Sequence, residues 1–417
     1  MLIAPSSYGA LSAMSANVIQ GKAPKFAELS GANKLGFKVG NTLYSESEGN
    51  IKGDKEQEFS KDLKLEDFVV QTLSANDFTV SNDYFDDDGD EAHPTEPFSV
   101  GVMTYEWRQS NGLKIPQASY GNAIGCNEFS KPLLLTITLT DAQVHSKAGI
   151  PRDSVKEVLT KVYKITPESA LCFAKPNQMI VTPKKTWMGE ENSLWDWNVG
   201  GAQIDPSIGG GYSADFDPKN GFKVTATPAF PTTGFVNAKF RLIMTKPADN
   251  YEFDWVANPQ GSIFVDDEGN VLLKSKPSGE VKISVKLKNS SIIHDYVFNP
   301  TTVWAMPKAG AGKYAWAESQ CGVGGILERK DLTNSPKISL TDSSPISTNV
   351  YTRAIGGGIF NEWGWADSAN YPLSGWQSGN YWTKDVRSSS SQFIVNSQNG
   401  TIAGSNPYIA PFVACKG

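Results

Sequence analysis

Four cysteines, three histidines and one acidic run are the side chains of this 417-residue sequence best able to do chemistry. The cysteines fall into two sets, Cys126 with Cys172 and Cys321 with Cys415, and no C-x-x-C spacing occurs. None of His93, His145 and His294 lies near a cysteine in sequence, so a zinc site, which needs clustered N and S ligands, is disfavoured. An even count in two sets suits two structural disulfides and an oxidising, extracytoplasmic home; reduced, buried cysteines are the alternative. Cys415, two residues from the end, can reach back to Cys321. A closure over those 94 positions (415 minus 321) removes about 4–5 kcal/mol of disorder from the unfolded chain.

The acidic run Asp86, Asp87, Asp88, Asp90 and Glu91 surrounds Gly89, an arrangement of hard oxygens that could suit Ca²⁺, but no Glu stands at the twelfth position of an EF-hand loop. A solvated turn is the expected reading. Enzyme signatures are absent: there is no nucleophile elbow and no HExxH, and Gly356-Gly357-Gly358 lacks the Lys-Ser/Thr of a phosphate loop. Asp266 and Asp267 read as a surface turn rather than as paired catalytic carboxylates. The sequence therefore implies no catalysis, no metal and no cofactor. A net charge of −6 with 20% charged residues offers no basic face for nucleic acid or anionic lipid. No apolar run approaches the about 18–20 residues of a membrane span.

The elements that must hold these residues read as strands. Gly and Pro total 62 (38 plus 24), and short apolar or alternating runs recur between Gly, Asn, Asp and Pro clusters. The length suggests several domains. A first β-sandwich is expected over 1–165, with DFVVQTL, GVMTYEWRQ and PLLLTITLTDAQV as strands, a hairpin at Asn111-Gly112 and Trp107 as a buried core tryptophan. One helix is predicted at RDSVKEVLTKVY, capped by Asp153 or Ser154. An irregular connector rich in Trp and Gly follows over 166–220, packed by Trp187, Trp195 and Trp197. A small Ig-like sandwich is expected over 221–303 and a last module over 304–417. In that module Tyr314, Ala317 and Cys321 share a helical face, a second helix is predicted in TRAIGGGIFNEWG, and strands end the chain. The opening MLIAPSSYGALSAMSANV lacks a basic n-region and is broken by Pro5, so the chain reads as a form whose leader has been removed and whose Met1 was added.

The pattern Tyr314–Cys321, the segment Ile359–Gly364, Tyr381-Trp382-Thr383 and Cys415 resemble the C-type-lectin-like domain that ends the intimin and invasin adhesins of Gram-negative bacteria. The strands from Gly221 to Lys274 are similar to the bacterial Ig-like domain preceding it, and the segments 82–90, Cys126 and 171–177 to an upstream sandwich of such proteins. The resemblance covers about residues 70–417. It implies a mostly β fold, tandem Ig-like sandwiches followed by an α+β C-type-lectin-like domain, and a secreted or surface-exposed adhesin that binds a host-cell protein or glycoprotein through its last domain. The outer-membrane β-barrel of the family is not in this sequence. Either the chain is an excised passenger, or it is exported through a separately encoded intimin-type barrel; in the second case it could also modulate virulence without adhering.

Calcium-dependent sugar binding in lectin domains of this type relies on Glu-Pro-Asn, Gln-Pro-Asp or Trp-Asn-Asp, none of which occurs in 304–417. Protein recognition is the expectation. Trp363, Tyr381 and Trp382 match positions where the family packs its core. Trp365, Tyr371 and Trp376 lie in a Gly/Ser/Asn-rich loop and are expected as exposed anchors, with core packing as the competing reading. By analogy with invasin, Asp385 and Arg387 are loop charges where an integrin-type receptor could find a carboxylate for its metal.

Overall fold

The structure, a computed structural model, describes residues 21–27, 30–127, 129–181, 209–335, 350–388, 391–405 and 408–417. Trp187, Trp195 and Trp197 lie outside them. The chain forms two compact units, 1–168 and 169–417, and it is mostly β, with several sheets.

In the first unit the long strand Leu133–Val144 lies between Glu157–Pro167 on one side and Met103–Arg108 and Phe98–Ser99 on the other. Leu133, Leu135, Ile137 and Leu139 point inward in strict alternation. Asp141 then takes a left-handed φ of 51°, and the register with Glu157–Pro167 slips there. That bulge shifts the alternation by one residue and returns Ala142 and Val144 to the core. A second sheet of Thr42–Tyr44, Phe37–Val39 and Phe68–Val70 supplies the opposing face. Trp107 is fully buried and meets Phe68 edge-on at 5.3 Å, as expected of a sandwich-core tryptophan. At Asn111-Gly112 the chain turns back: Ile115 N–H donates to the Trp107 carbonyl and Gly112 has φ 83°.

The helix predicted at RDSVKEVLTKVY is a correction, because those residues enter the 11-residue strand Glu157–Pro167. Its Leu159, Lys161 and Tyr163 alternate with exposed Val158, Thr160 and Val162. The β-branched residues and the ready partner Leu133–Val144 override the helical spacing of the charges.

The second unit pairs two sheets. A six-stranded sheet runs in the order Phe216–Asp217, Gly221–Lys223, Leu171–Pro176, Lys239–Met244, Asn270–Leu273, Ile263–Val265. Leu171–Pro176, from the stretch expected as irregular connector, is therefore an interior strand. Across the core lies Tyr251–Ala257, Val281–Leu287 and Ile293–Phe298. Phe240 of the first sheet meets Phe298 of the other at 5.4 Å. A third sheet joins Thr233–Phe235, Val303–Pro307 and the terminal Ala414–Lys416. Gly234 is required in it: a Cβ there would lie 2.5 Å from the Trp304 ring.

Beyond Pro307 come the helices Tyr314–Cys321, Arg329–Leu332 and Ile359–Trp363, and the antiparallel strands Asn380–Ser388, Ser391–Asn396 and Ile402–Ser405. The first helix is the one expected, with Ala317 buried and Tyr314 and Cys321 packed beside it. The second prediction holds only for its last third. Gly356, Gly357 and Gly358 all have positive φ, a conformation outside the helix, so helical geometry begins at Ile359. Cys321 and Cys415 form a disulfide with Cα atoms 5.2 Å apart. No described cysteine is free.

Candidate functional site

Two regions of the terminal module held the candidate residues, and the structure treats them oppositely. In the aromatic loop, Tyr371 and Trp376 are completely buried, which corrects the expectation of exposed anchors. The residues that cover them come from the preceding sandwich. Phe235 meets Trp363 at 5.4 Å, Tyr371 at 5.2 Å and Trp376 at 5.8 Å, and Phe230 meets Trp363 at 5.0 Å. Trp363, Tyr381 and Trp382 are buried as well. Trp365 is half-buried, with an indole N–H that has no partner among the described residues. Asn370 Nδ2 donates to its carbonyl at 3.1 Å, and Gln178 Nε2 reaches Asn370 Oδ1 at 2.9 Å.

Under the loop sits a carboxylate that sequence reading missed. Glu362 is completely buried. It accepts the Thr232 N–H and hydroxyl, the Thr233 N–H at 2.9 Å and hydroxyl at 2.7 Å, and the Gly356 N–H at 2.7 Å. Burial pushes its carboxyl pKa up, while the Thr232, Gly356 and Thr233 donors pull it down. The Trp363 indole donates to the Thr233 carbonyl at 3.1 Å, and Arg353, also buried, donates to the Glu362 carbonyl oxygen at 3.0 Å. Arg353 stacks its guanidinium 4.7 Å from the Phe216 ring. These groups are a polar lock of the core. They are closed to solvent, so no ligand reaches them.

The charged edge is open. Asp385 and Arg387 lie on the strand Asn380–Ser388, each half-exposed, with Val386 between them exposed at 61%. One Asp385 oxygen accepts the Arg329 N–H at 2.6 Å, and the Arg387 side chain lies against Gly404. Beside them Glu328 gathers Lys384 at 2.9 Å, Lys330 at 3.0 Å and Lys416 at 3.3 Å, and Lys416 also meets Asp331 at 3.3 Å. The hydrogen bonds from Lys384 and Lys330 hold the Glu328 carboxyl down at about 2. The Arg329 guanidinium covers the Phe393 ring at 5.0 Å. The local run Glu328-Arg329-Lys330-Asp331 was the available signal in sequence. Its partners Lys384 and Lys416 stand 56 and 88 residues away, which no spacing reveals.

Elsewhere, one histidine does converge with a serine and a carboxylate. His145 Nε2 lies 2.9 Å from the Ser99 hydroxyl and its Nδ1 2.8 Å from Asp153 Oδ1. The order matches that of a hydrolase triad, but the Asp153 side chain is 58% exposed, so it lacks the dry setting that lets such a carboxylate stabilise an imidazolium. The chain ties three neighbouring segments of the sheet together. In the acidic run, Asp86 caps the N–H groups of Asp88 and Asp90, and Asp87 pairs with Lys22 and Lys25. Among the described residues no group of three or more His, Cys, Asp or Glu is placed to hold a metal. No described helix is long and apolar enough to cross a membrane.

The chain is mostly β with several sheets, and among the described residues its terminal module joins buried aromatic rings, a charged edge open to solvent and the Cys321–Cys415 disulfide. Residues 215–298 match the family model described as invasin, domain 4. Invasin of Yersinia enterocolitica is 30% identical over 205 residues, which take in 45% of this chain and 23% of that protein. The inverse autotransporter adhesin YeeJ of Escherichia coli strain K12 is 27% identical over 181 residues, 42% of this chain and 7% of the relative. This chain thus spans under a quarter of the length of the curated relatives it matches. Among solved structures, invasin, titled a bacterial integrin-binding protein, aligns at 20% identity and TM-score 0.39 over 78% of this chain and 52% of that one. A 282-residue C-terminal fragment of intimin, in complex with the intimin-binding domain of the translocated intimin receptor, aligns at 11% identity and TM-score 0.32 over 79% of this chain and 97% of that one. The chain is similar to the intimin/invasin-like adhesins, as its sequence implied.

Proposed function

We propose that this chain is the adhesive part of a secreted or surface-exposed protein and binds a host-cell surface protein through residues 304–417. The observation that carries this reading is the open edge around Asp385. A half-exposed carboxylate, fixed through one oxygen by the Arg329 N–H, stands beside exposed Val386 and Arg387 on a stapled scaffold. Such an edge is held in one geometry before binding, so little side-chain freedom is lost when a partner docks. The similarity to invasin over 205 residues supports the adhesive role. Trp365, half-buried at the loop, is the remaining aromatic candidate for contact, because Tyr371 and Trp376 are fully buried.

Asp385→Asn tests the reading, because an amide oxygen still accepts the Arg329 N–H while the charge is removed. Attachment of the purified chain to cultured host cells should fall about tenfold or more, with melting temperature nearly unchanged. Saturable attachment that Asp385→Asn and Arg387→Ala leave untouched would remove this edge as the contact. The name of the Escherichia coli relative describes an inverse autotransporter, and we extend that route to this chain as export through an outer-membrane barrel, on the same or a separate polypeptide. Deleting that barrel should leave the chain in the periplasm.

A further inference from the structure

In the second unit, the outer face of the six-stranded sheet gathers three cations. Lys239 and Arg241 stand two residues apart on the strand Lys239–Met244, so both side chains leave the same face. Lys175, on the neighbouring strand Leu171–Pro176, is paired with Arg241. All three are half-buried, and with Asn177, Asn270 and Ile243 they line a cavity of about 250 Å³ whose wall holds no carboxylate. Lys175 Nζ donates to the Lys219 carbonyl at 2.6 Å and Arg241 Nε to the Glu268 carbonyl at 3.0 Å. These bonds fix both side chains, and among the described residues none of the three cations forms a salt bridge. Asp266 interacts electrostatically with Lys239, but its oxygens are held by the Glu268 and Asn270 N–H groups and the Asn270 amide. Asp217, at the far margin, likewise accepts the Lys219 and Asn220 N–H groups. The row through Lys239 continues to Leu272 and then Phe264, which is 49% exposed and lies two strand spacings, roughly 10 Å, away.

We propose that this face binds an acidic polysaccharide, whose carboxylate or sulfate groups are held by Lys175, Lys239 and Arg241. Three like charges on one face repel one another, and a bound oxyanion relieves that repulsion where a neutral or cationic ligand does not. The Arg241 guanidinium keeps its outer N–H groups for two oxygens of one acidic group, and the lysines add donors beside it. The cavity is smaller than the roughly 300–1,000 Å³ of a small-molecule pocket. It suits a single acidic group projecting from a chain that runs outside it. The Phe264 ring on the same face offers an apolar surface to the C–H face of a following sugar. Nucleic acid fits less well, because three cations fall short of the about six to ten phosphate contacts of such binders. The face uses none of the residues of the Asp385 edge and does not rest on the adhesive reading.

Isothermal titration of the full chain at low salt tests it. A heparin tetrasaccharide serves as the sulfated probe, a hyaluronan tetrasaccharide as the carboxylate-only probe, maltotetraose as the neutral one and a short DNA duplex as the other polyanion. At least one acidic sugar should bind, more weakly as salt rises, and maltotetraose should not. Lys239→Gln combined with Arg241→Gln should weaken that binding about tenfold or more with the melting temperature nearly unchanged, since both side chains leave the outer face. Phe264→Ser should weaken it less. Lys282→Gln removes a cation from the other sheet, where it pairs with Asp295, and should leave binding as it was. No binding of either acidic sugar, equal binding of the duplex or of maltotetraose, or as large a loss in Lys282→Gln as in the double variant would overturn the proposal. Asp385→Asn should not alter the titration, so failure of this site is separable from failure of the adhesive edge.

Discussion

The aromatic loop and the charged edge of the terminal module differ in who their partners are. The loop is polar in sequence, full of Gly, Ser and Asn, yet its Tyr371 and Trp376 are fully buried because Phe235 of the preceding sandwich covers them. The edge also pairs at long range, Glu328 with Lys384 and Lys416, but its partners are charged and remain in water. Rings without water drive folding; charges with water leave a surface free to recognise something else. The lesson is that an aromatic-rich loop marks a binding site only when no other part of the chain claims its rings.

The contrast can be broken by substitution. Trp376→Ala empties a fully buried site packed by Phe235, Phe360 and Tyr381. It should cost about 3–5 kcal/mol in denaturant unfolding of the second unit, and a cost below about 1 kcal/mol would return the ring to the surface. Removing the Cys321–Cys415 staple by the double change to serine should cost about 2–4 kcal/mol by the same measurement. Glu362→Ala leaves the donors of Thr232, Thr233 and Gly356 without their acceptor; about 3 kcal/mol of destabilisation is expected, with little change if the pocket rehydrates.

The edge should respond far less. Glu328 has a depressed carboxyl pKa, so its contribution to stability is complete above the ordinary carboxylate range and disappears as pH falls through about 2. Because its lysine partners are largely solvated, Glu328→Gln should change stability by under about 1 kcal/mol at neutral pH. Carboxyl-carbon NMR should find Glu328 ionised at pH values where ordinary glutamates are half-protonated. A normal titration would show that the lysines do not converge on it in solution.

Much of this fold was legible in the residues. The alternation of Leu133 to Leu139, the turn at Asn111-Gly112, buried Trp107 and the helix at Tyr314–Cys321 follow from patterns within a dozen residues, the range over which side-chain periodicity encodes a strand face or a helical stripe. The reach of Cys415 back to Cys321 was legible too, because so few thiols leave few pairings. The strand Glu157–Pro167 was not, since its charges mimic helical spacing and only the waiting edge of Leu133–Val144 decides its state. Nor could the sequence divide Trp365, Tyr371 and Trp376 into one half-buried ring and two core rings, or gather three lysines on Glu328. Burial and charge pairing are set by what the folded chain brings near from 50 to 140 residues away, and that information exists only once the backbone has closed.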